Sequence, residues 1–356
     1  MRPLEGVRVL DLTRLLPGAY ATLLLSDLGA DVVKIEHPRG GDHARLMPGF
    51  ALLNRNKRSV TIDLRSPLAA SVFDAVAGTS DVVVDSFRPR AARKLGVDAG
   101  TLRARHPRLI CASITGFGSS SPYVDRAAHD INYEALAGLL MSRDGTVTFP
   151  GALVGDVGAA MQCAIGILAA LLQRGKSGEG ATVEISIHEA ALAWSMFPWS
   201  ADLAGACYSL YETADGKWLA LGALEGKFWK AFCEGIGRPD LVPVQFARGP
   251  AHERILSEVR ALMRGRTREE WLERFAGVDA CLTPVSTPDE ALADPHVVAR
   301  RLARRSEGGD AGMTCLVPPG VEVRPAPALG AHTDEILEGA GIGAGVRSRL
   351  RDAGVL

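Results

Sequence analysis

The chain has 356 residues, with 40 Lys and Arg against 41 Asp and Glu, a formal net charge of −1, and 47% hydrophobic and 23% charged residues. That composition can bury a large core, and the length suggests two domains. The near-neutral balance argues against wholesale nucleic-acid binding but leaves room for a local basic groove that holds phosphates.

The first residues, Met1-Arg2-Pro3-Leu4-Glu5-Gly6, run straight into a strand pattern with no basic segment ahead of an apolar one, so no signal peptide is expected. Apolar periodicity places strands over 7–12, 31–36, 60–64, 81–85 and 109–114. Helices are expected over 18–28, stopped by Gly29, over 67–77 with Pro67 in its first turn, and over 99–105. Strands separated by helices of this length predict an α/β domain with a parallel sheet and crossover helices. No G-x-G-x-x-G follows the first strand, so a Rossmann-like topology here does not imply a nicotinamide cofactor.

A long apolar helix is expected over 156–174, a strand over 181–187 and a helix over 188–199. The longest apolar run, 161–172, is interrupted by Gln162 and is too short to span a bilayer, which points to the cytoplasm and to no membrane partner. The pattern then changes. A hairpin over 208–213 and 217–221 turns at Ala214-Asp215-Gly216. Helices over 228–235, 251–263 and 268–275, a strand over 279–284 and two short helices within 288–301 form a smaller α+β domain. An extended, Pro-rich stretch over 314–324 and short helices over 333–338 and 344–352 end the chain.

The six cysteines, Cys111, Cys163, Cys207, Cys233, Cys281 and Cys315, are far apart and read as small core residues, with no metal site. Cationic side chains recur in His37-Pro38-Arg39-Gly40-Gly41-Asp42, Asn54-Arg55-Asn56-Lys57-Arg58 and Ser86-Phe87-Arg88-Pro89-Arg90. Taken as three loops at one edge of the sheet they suggest a phosphate site; each alone reads equally as solvated charge.

Two segments carry candidate chemistry, Ala128-His129-Asp130-Ile131-Asn132-Tyr133 and Val154-Gly155-Asp156-Val157-Gly158. An imidazole and a carboxylate on separate segments can serve opposite faces of one carbon. The plain alternatives are a packing role for His129 and an N-cap role for Asp156.

These segments, together with Pro17-Gly18, the run 28–36, Asn54-Arg55-Asn56-Lys57-Arg58, Phe87-Arg88-Pro89, Ile114-Thr115-Gly116-Phe117-Gly118, the run 211–216, Gly222-Ala223-Leu224-Glu225 and the run 279–285, resemble the family III CoA-transferase and racemase superfamily (CaiB/BaiF type), and within it the α-methylacyl-CoA racemases. The resemblance spans the first strand to about residue 300. It implies a large Rossmann-like domain over 1–199 completed by 311–356, a small α+β domain over 200–310, and an interlocked homodimer. It further implies a place in lipid and fatty-acid metabolism.

The racemases carry the histidine matching His129, the aspartate matching Asp156 and the glutamate matching Glu225, which partners the histidine. Transferases of the family keep the aspartate, which becomes acylated, and generally lack the histidine. The implied activity is inversion of the α-carbon of 2-methylacyl-CoA thioesters. The rivals are a CoA-transferase using Asp156 and a CoA-ester-binding protein without turnover. No separate cofactor is implied, since CoA enters with the substrate. By matching positions, CoA contacts fall to His37, Ile62, Asp63, Leu64, Arg65, Ser86, Phe87, Arg88, Lys94, Ala128, Asp130, Ile131, Asn132 and Tyr133. Asp130 reads equally as a loop hydrogen-bond acceptor.

Backbone N–H groups at the helix start beside Asp156 are expected to face the enolate oxygen. This chain departs from the family in three places. It has His37 where the family has arginine, Ala152 where racemases have asparagine, and a short 200–207 loop where relatives have a longer one that forms the acyl pocket.

Overall fold

The computed structural model describes residues 2–141, 146–149, 151–196, 205–305, 311–313 and 323–356. The chain divides into two compact units, Met1–Met196 with Arg301–Leu356, and Phe197–Arg300.

In the first unit, β1 (Arg8–Leu12), β2 (Asp31–Glu36), β3 (Arg58–Thr61), β4 (Val82–Asp85), β5 (Ile110–Thr115) and β6 (Thr182–Ser186) form one sheet in the order β3-β2-β1-β4-β5-β6. Every pairing is parallel, as in Asp11↔Lys34 and Leu12↔Asp85. This is the doubly wound order, whose direction reverses between β1 and β4 and leaves a crevice at the carboxyl ends of those strands.

The strands are nearly continuous in apolar residues because both faces are covered. Val9, Val82, Val84, Ile110 and Ala112 pack one way with the helices Leu15–Asp27 (α1), Val154–Ser177 (α7) and Ile187–Ser195 (α8). Leu10, Leu12, Val33, Val83 and Cys111 pack the other way with α3 and the C-terminal helices. Between β2 and β3 runs α2 (Phe50–Asn54), followed by α3 (Ala69–Gly78), α4 (Pro89–Leu95), α5 (Ala99–Arg105), α6 (Asp130–Leu136), α7 (Val154–Ser177) and α8 (Ile187–Ser195). Gly18 permits the turn after β1, because a Cβ there would lie 2.2 Å from the Thr13 Cβ.

Helices α2, α4 and α6 lie where sequence periodicity showed only loops. All are five to seven residues long, and none shows an apolar repeat in its sequence. Pro89 in the first turn of α4 was the available signal.

Helix α7 is longer than its apolar run implied. At 24 residues it is long and apolar enough, by length and composition, to cross a membrane. Its stripe Gly155, Ala159, Cys163, Ile167 and Ala170 is nevertheless buried against the protein core, as expected of a central helix.

The chain's end belongs to the same unit. Thr61 N–H donates to Thr333 Oγ1 at 3.1 Å and Asp63 N–H to the Val355 carbonyl at 2.8 Å, so residues after 330 close the β3 side of the sheet. Cys111, Cys163, Cys207 and Cys233 are buried, and burial pushes the thiols of Cys111, Cys163 and Cys233 up to about 12.

The second unit contains β7 (Tyr208–Glu212), β8 (Trp218–Gly222) and β9 (Leu282–Pro284) in an antiparallel sheet. With it are α9 (Gly226–Gly235), α10 (Pro250–Met263), α11 (Arg268–Arg274), α12 (Pro288–Ala293) and α13 (Pro295–Ala299). Trp229, Phe232, Trp271 and Tyr211 form its core. In the first unit β10 (Ala303–Arg305) pairs antiparallel with β11 (Ala311–Met313), and α14 (Thr333–Gly339) and α15 (Ala344–Asp352) follow. Most of the 200–207 loop and of the 314–324 stretch, and Cys315, lie outside the described residues.

Candidate active site

A cavity of about 630 Å³ opens at the carboxyl ends of β1 to β4. Leu12, Thr13 and Arg14 line it after β1, and Glu36 and His37 at the end of β2. Ile62, Asp63, Leu64 and Arg65 line it after β3, and Phe87 after β4, with Ala91, Lys94 and Leu95 from α4. Seven residues of the expected CoA set therefore share one cavity: His37, Ile62, Asp63, Leu64, Arg65, Phe87 and Lys94.

Sequence reading missed Arg14, whose guanidinium lies 5.8 Å from the Phe87 ring centre and whose N–H donates to Ser86 Oγ at 3.0 Å. Only the approach of the β1 and β4 ends makes that contact. His37 is held by its own turn, since its Nδ1 accepts from Arg39 N–H at 3.0 Å and its Nε2 lies 3.5 Å from Asp63 Oδ2.

The cations of the cavity divide by partner. Lys34 is fully buried against Asp42 at 2.9 Å and also donates to the Thr13 carbonyl. Arg14, Arg39 and Lys94 are exposed and have no carboxylate partner among the described residues, so they are free to meet phosphate oxygens.

The expected third cationic loop does not contribute. Asn54-Arg55-Asn56-Lys57-Arg58 precedes β3, and in a parallel sheet it lies at the opposite edge from the carboxyl ends. Its cations are spent inside the protein. Arg55 pairs with Asp27 at 2.5 Å, Lys57 with Asp11 at 3.0 Å, and Arg58 with Asp31 and Glu335.

A second cluster forms where α6 meets the start of α7. His129 is the exposed N-cap of α6, its N–H accepted by Asn132 Oδ1 at 3.0 Å. Its side chain and that of Asn132 cap the helix start reciprocally, each facing the other residue's backbone N–H. Ala128 and Tyr133 are tied together, the Tyr133 hydroxyl donating to the Ala128 carbonyl at 3.2 Å. Tyr133 is buried edge-on against Phe117, and Ile131 is exposed.

Asp156 lies in the first turn of α7 but is not its N-cap, a position held by Leu153 with no side-chain bond. The capping falls to α6. Asp130 Oδ1 accepts Asp156 N–H at 2.8 Å and Glu134 Oε1 accepts Val154 N–H at 2.9 Å. Asp130 is thus a buried acceptor on a helix rather than in a loop, with one carboxylate oxygen directed at α7. The expected row of free N–H groups is correspondingly reduced. Only Gly155 N–H in that turn has no acceptor among the described residues. Ala152 is exposed, and its carbonyl accepts Val154 N–H at 3.0 Å.

Burial, and then the nearby charges of Asp130 and Glu134, raise the Asp156 carboxyl to about 7. Burial, and then the charge of Asp156, push the Tyr133 phenol up to about 12, while Arg88 opposes the rise. Tyr133 therefore feels both Asp156 and Arg88. Arg88 is the exposed N-cap of α4 and, like Ser86, stands outside the lining of the cavity. A half-buried carboxyl that titrates near neutrality can take or give a proton at small cost, which is what proton transfer at carbon requires.

Glu225 is an exposed N-cap of α9 in the second unit, its carbonyl accepting Phe228 N–H at 2.9 Å.

The model of CoA-transferase family III matches residues 4–333. Human alpha-methylacyl-CoA racemase is 33% identical over 362 residues, covering 94% of this chain and 92% of that protein. Succinyl-CoA–D-citramalate CoA-transferase of Chloroflexus aurantiacus is also 33% identical, over 94% and 93%. The crystal structure of Rv3272 from Mycobacterium tuberculosis superposes with a TM-score of 0.81 at 29% identity, covering 94% of this chain and 98% of that one. With a six-stranded parallel sheet, a carboxyl-edge cavity and this extent of likeness, the chain belongs to CoA-transferase family III.

Proposed function

We propose that the protein is an isomerase that inverts the α-carbon of a 2-methylacyl-CoA thioester by two-base proton transfer. The observation that carries this reading is the Asp156 carboxyl, raised to about 7 on a residue whose backbone N–H is held by Asp130, the residue that follows His129. One base removes the α-proton, the C–H electron pair moves into the thioester as an enolate, and the conjugate acid of the other base returns a proton to the opposite face. Gly155 N–H is the donor at the start of α7 proposed to face the enolate oxygen; such a bond contributes roughly 3–4 kcal/mol. Glu225 is proposed as the carboxylate that orients the imidazole. CoA is proposed to occupy the cavity at the ends of β1 to β4, its phosphates meeting Arg14, Arg39 and Lys94.

A second reading, a CoA-transferase acylated on Asp156, is supported by the equal identity to a CoA-transferase. A nucleophilic carboxylate works best when fully ionised, so an Asp156 titrating near 7 suits proton transfer better.

We also take the protein to be a cytoplasmic homodimer with no resident cofactor. Met161, Ile165 and Leu172 form an exposed apolar stripe on α7, with Ile165 65% and Leu172 73% exposed, which supports a second copy covering it. The cysteines of the described residues are unbridged, in keeping with a reducing compartment.

Incubation of a chiral 2-methylacyl-CoA in deuterated water tests the activity. Racemisation with deuterium at the α-carbon is expected. CoA transfer to an added free acid without exchange supports the second reading instead, and binding with neither activity overturns both.

A further inference from the structure

Glu134 has no part in the chemistry above, yet it is fully buried, at 0% exposure, beside Asp130 at 3%. The two stand one helical turn apart on α6, and each gives one oxygen to the start of α7: Glu134 Oε1 to Val154 N–H and Asp130 Oδ1 to Asp156 N–H. The other two oxygens, Glu134 Oε2 and Asp130 Oδ2, are buried and have no donor among the described residues. Two carboxylates cannot satisfy one another while both are ionised, whereas one proton between them satisfies both oxygens.

We propose that Asp130 and Glu134 hold a single proton between them and act as a positioning pair, clamping the first turn of α7 and fixing the charge that Asp156 experiences.

The surroundings agree. Burial, and then the bond to Asp130, raise the Glu134 carboxyl above its ordinary range. Among the described residues no cation offsets the pair. From α6 the start of α7 meets Asp130, Glu134 and Tyr133; from α8 it meets Ile187, Ala191 and the Trp194 indole. His188 of α8 lies instead against the Phe117 ring, and Arg88 bears on Tyr133. With one proton the pair carries one negative charge, so Asp156 is raised by a single neighbouring charge and by burial while its backbone stays bonded.

The inference rests on the reading of Asp156 as the proton-transferring group, but its test does not need turnover. The full-length chain, labelled with ¹³C at aspartate Cγ, gives the Asp156 titration midpoint directly, the signal being assigned by its loss in Asp156→Asn. Glu134→Gln keeps an acceptor for Val154 N–H and a hydrogen for Asp130 and removes no charge. The Asp156 midpoint is expected to stay near its wild-type value in that variant. A fall of about one pH unit in Glu134→Gln means that Glu134 was ionised, and overturns the proposal.

In the double variant Asp130→Asn/Glu134→Gln the pair's charge is gone. The midpoint is expected to fall by about one pH unit or more while staying above that of an exposed aspartate. An unchanged midpoint in the double variant also overturns the proposal. Glu134→Leu is expected to lose thermal stability and kcat that Glu134→Gln retains. Absence of α-proton exchange in the wild type would remove the proposed activity and leave these titrations intact.

Discussion

Asp130 Oδ1 accepts the backbone N–H of Asp156 at 2.8 Å, across 26 residues of sequence. The side chain that follows the candidate histidine therefore holds the backbone of the candidate aspartate. With the bond from Val154 N–H to Glu134 Oε1, it ties α6 to the first turn of α7 beside the raised Asp156 carboxyl.

The proposed pair of bases makes the first prediction. His129→Ala should lower kcat for α-proton exchange by about 10²- to 10⁴-fold, the usual contribution of a positioned acid–base group. CoA affinity, measured by calorimetry, should change little. Asp156→Asn should abolish both exchange and any transfer. A variant in which exchange survives the loss of His129 excludes that residue as a base.

The pH dependence follows from Asp156. With its carboxyl at about 7, the turnover of the enantiomer whose proton it removes should rise through about pH 7. Turnover of the opposite enantiomer, for which it is the acid, should fall over the same range. Separate pH profiles for the two enantiomers check this, and coincident profiles contradict it.

Stability carries a matching signature at Asp85. Burial raises this carboxyl to about 7, the Phe87 N–H opposes the rise, and Asp98 adds to it. A carboxyl with a raised folded value binds more protons folded than unfolded, so its contribution declines as pH rises from about 4 to about 7. Asp85→Asn keeps an acceptor for Phe87 N–H and removes the buried charge. It should stabilise the protein above pH 7 by on the order of 2 kcal/mol and by much less near pH 4, as read from denaturation at the two pH values.

The cavity cations should act on binding. Lys94→Ala or Arg14→Ala should raise KM for the CoA thioester about tenfold, corresponding to a charge-assisted hydrogen bond of about 1.5 kcal/mol, and leave kcat nearly unchanged. Arg58→Ala, whose guanidinium is spent on Asp31 and Glu335, should leave KM where it is. A loss of CoA affinity in Arg58→Ala would reverse the assignment of the two edges.

Close packing around Tyr133 is testable through Gly116. A Cβ there would meet the Tyr133 hydroxyl at 2.4 Å. Gly116→Ala should cost about 1–3 kcal/mol by overpacking, and Tyr133→Phe in that background should recover part of it. Additive losses in the double variant would contradict the clash.

Much of the fold was legible because its signals are local. Apolar runs marked all six strands of the large sheet, and α5 and α15 begin and end where periodicity placed them. The short helices α2, α4 and α6 were not legible, since their few residues sit among the Gly, Pro and charged positions of strand-end loops and show no apolar repeat. The candidate site was named from the sequence by residue type. The candidate histidine and aspartate, and the seven expected CoA residues that share the cavity, came from positions matched by resemblance, while Arg14 and Glu134 belong to no motif and acquire their surroundings only on folding.

The sequence by itself determined an α/β chain with crossover helices and a histidine and a carboxylate on separate segments, because periodicity and residue chemistry are properties of neighbours along the chain. Only the tertiary structure decided which cations face the cavity and which are consumed by Asp11, Asp27 and Asp31. It also decided that Asp156 sits beside two buried carboxylates and titrates near neutrality. Charge pairing and desolvation depend on groups brought together from distant segments, and strand order and burial set those distances.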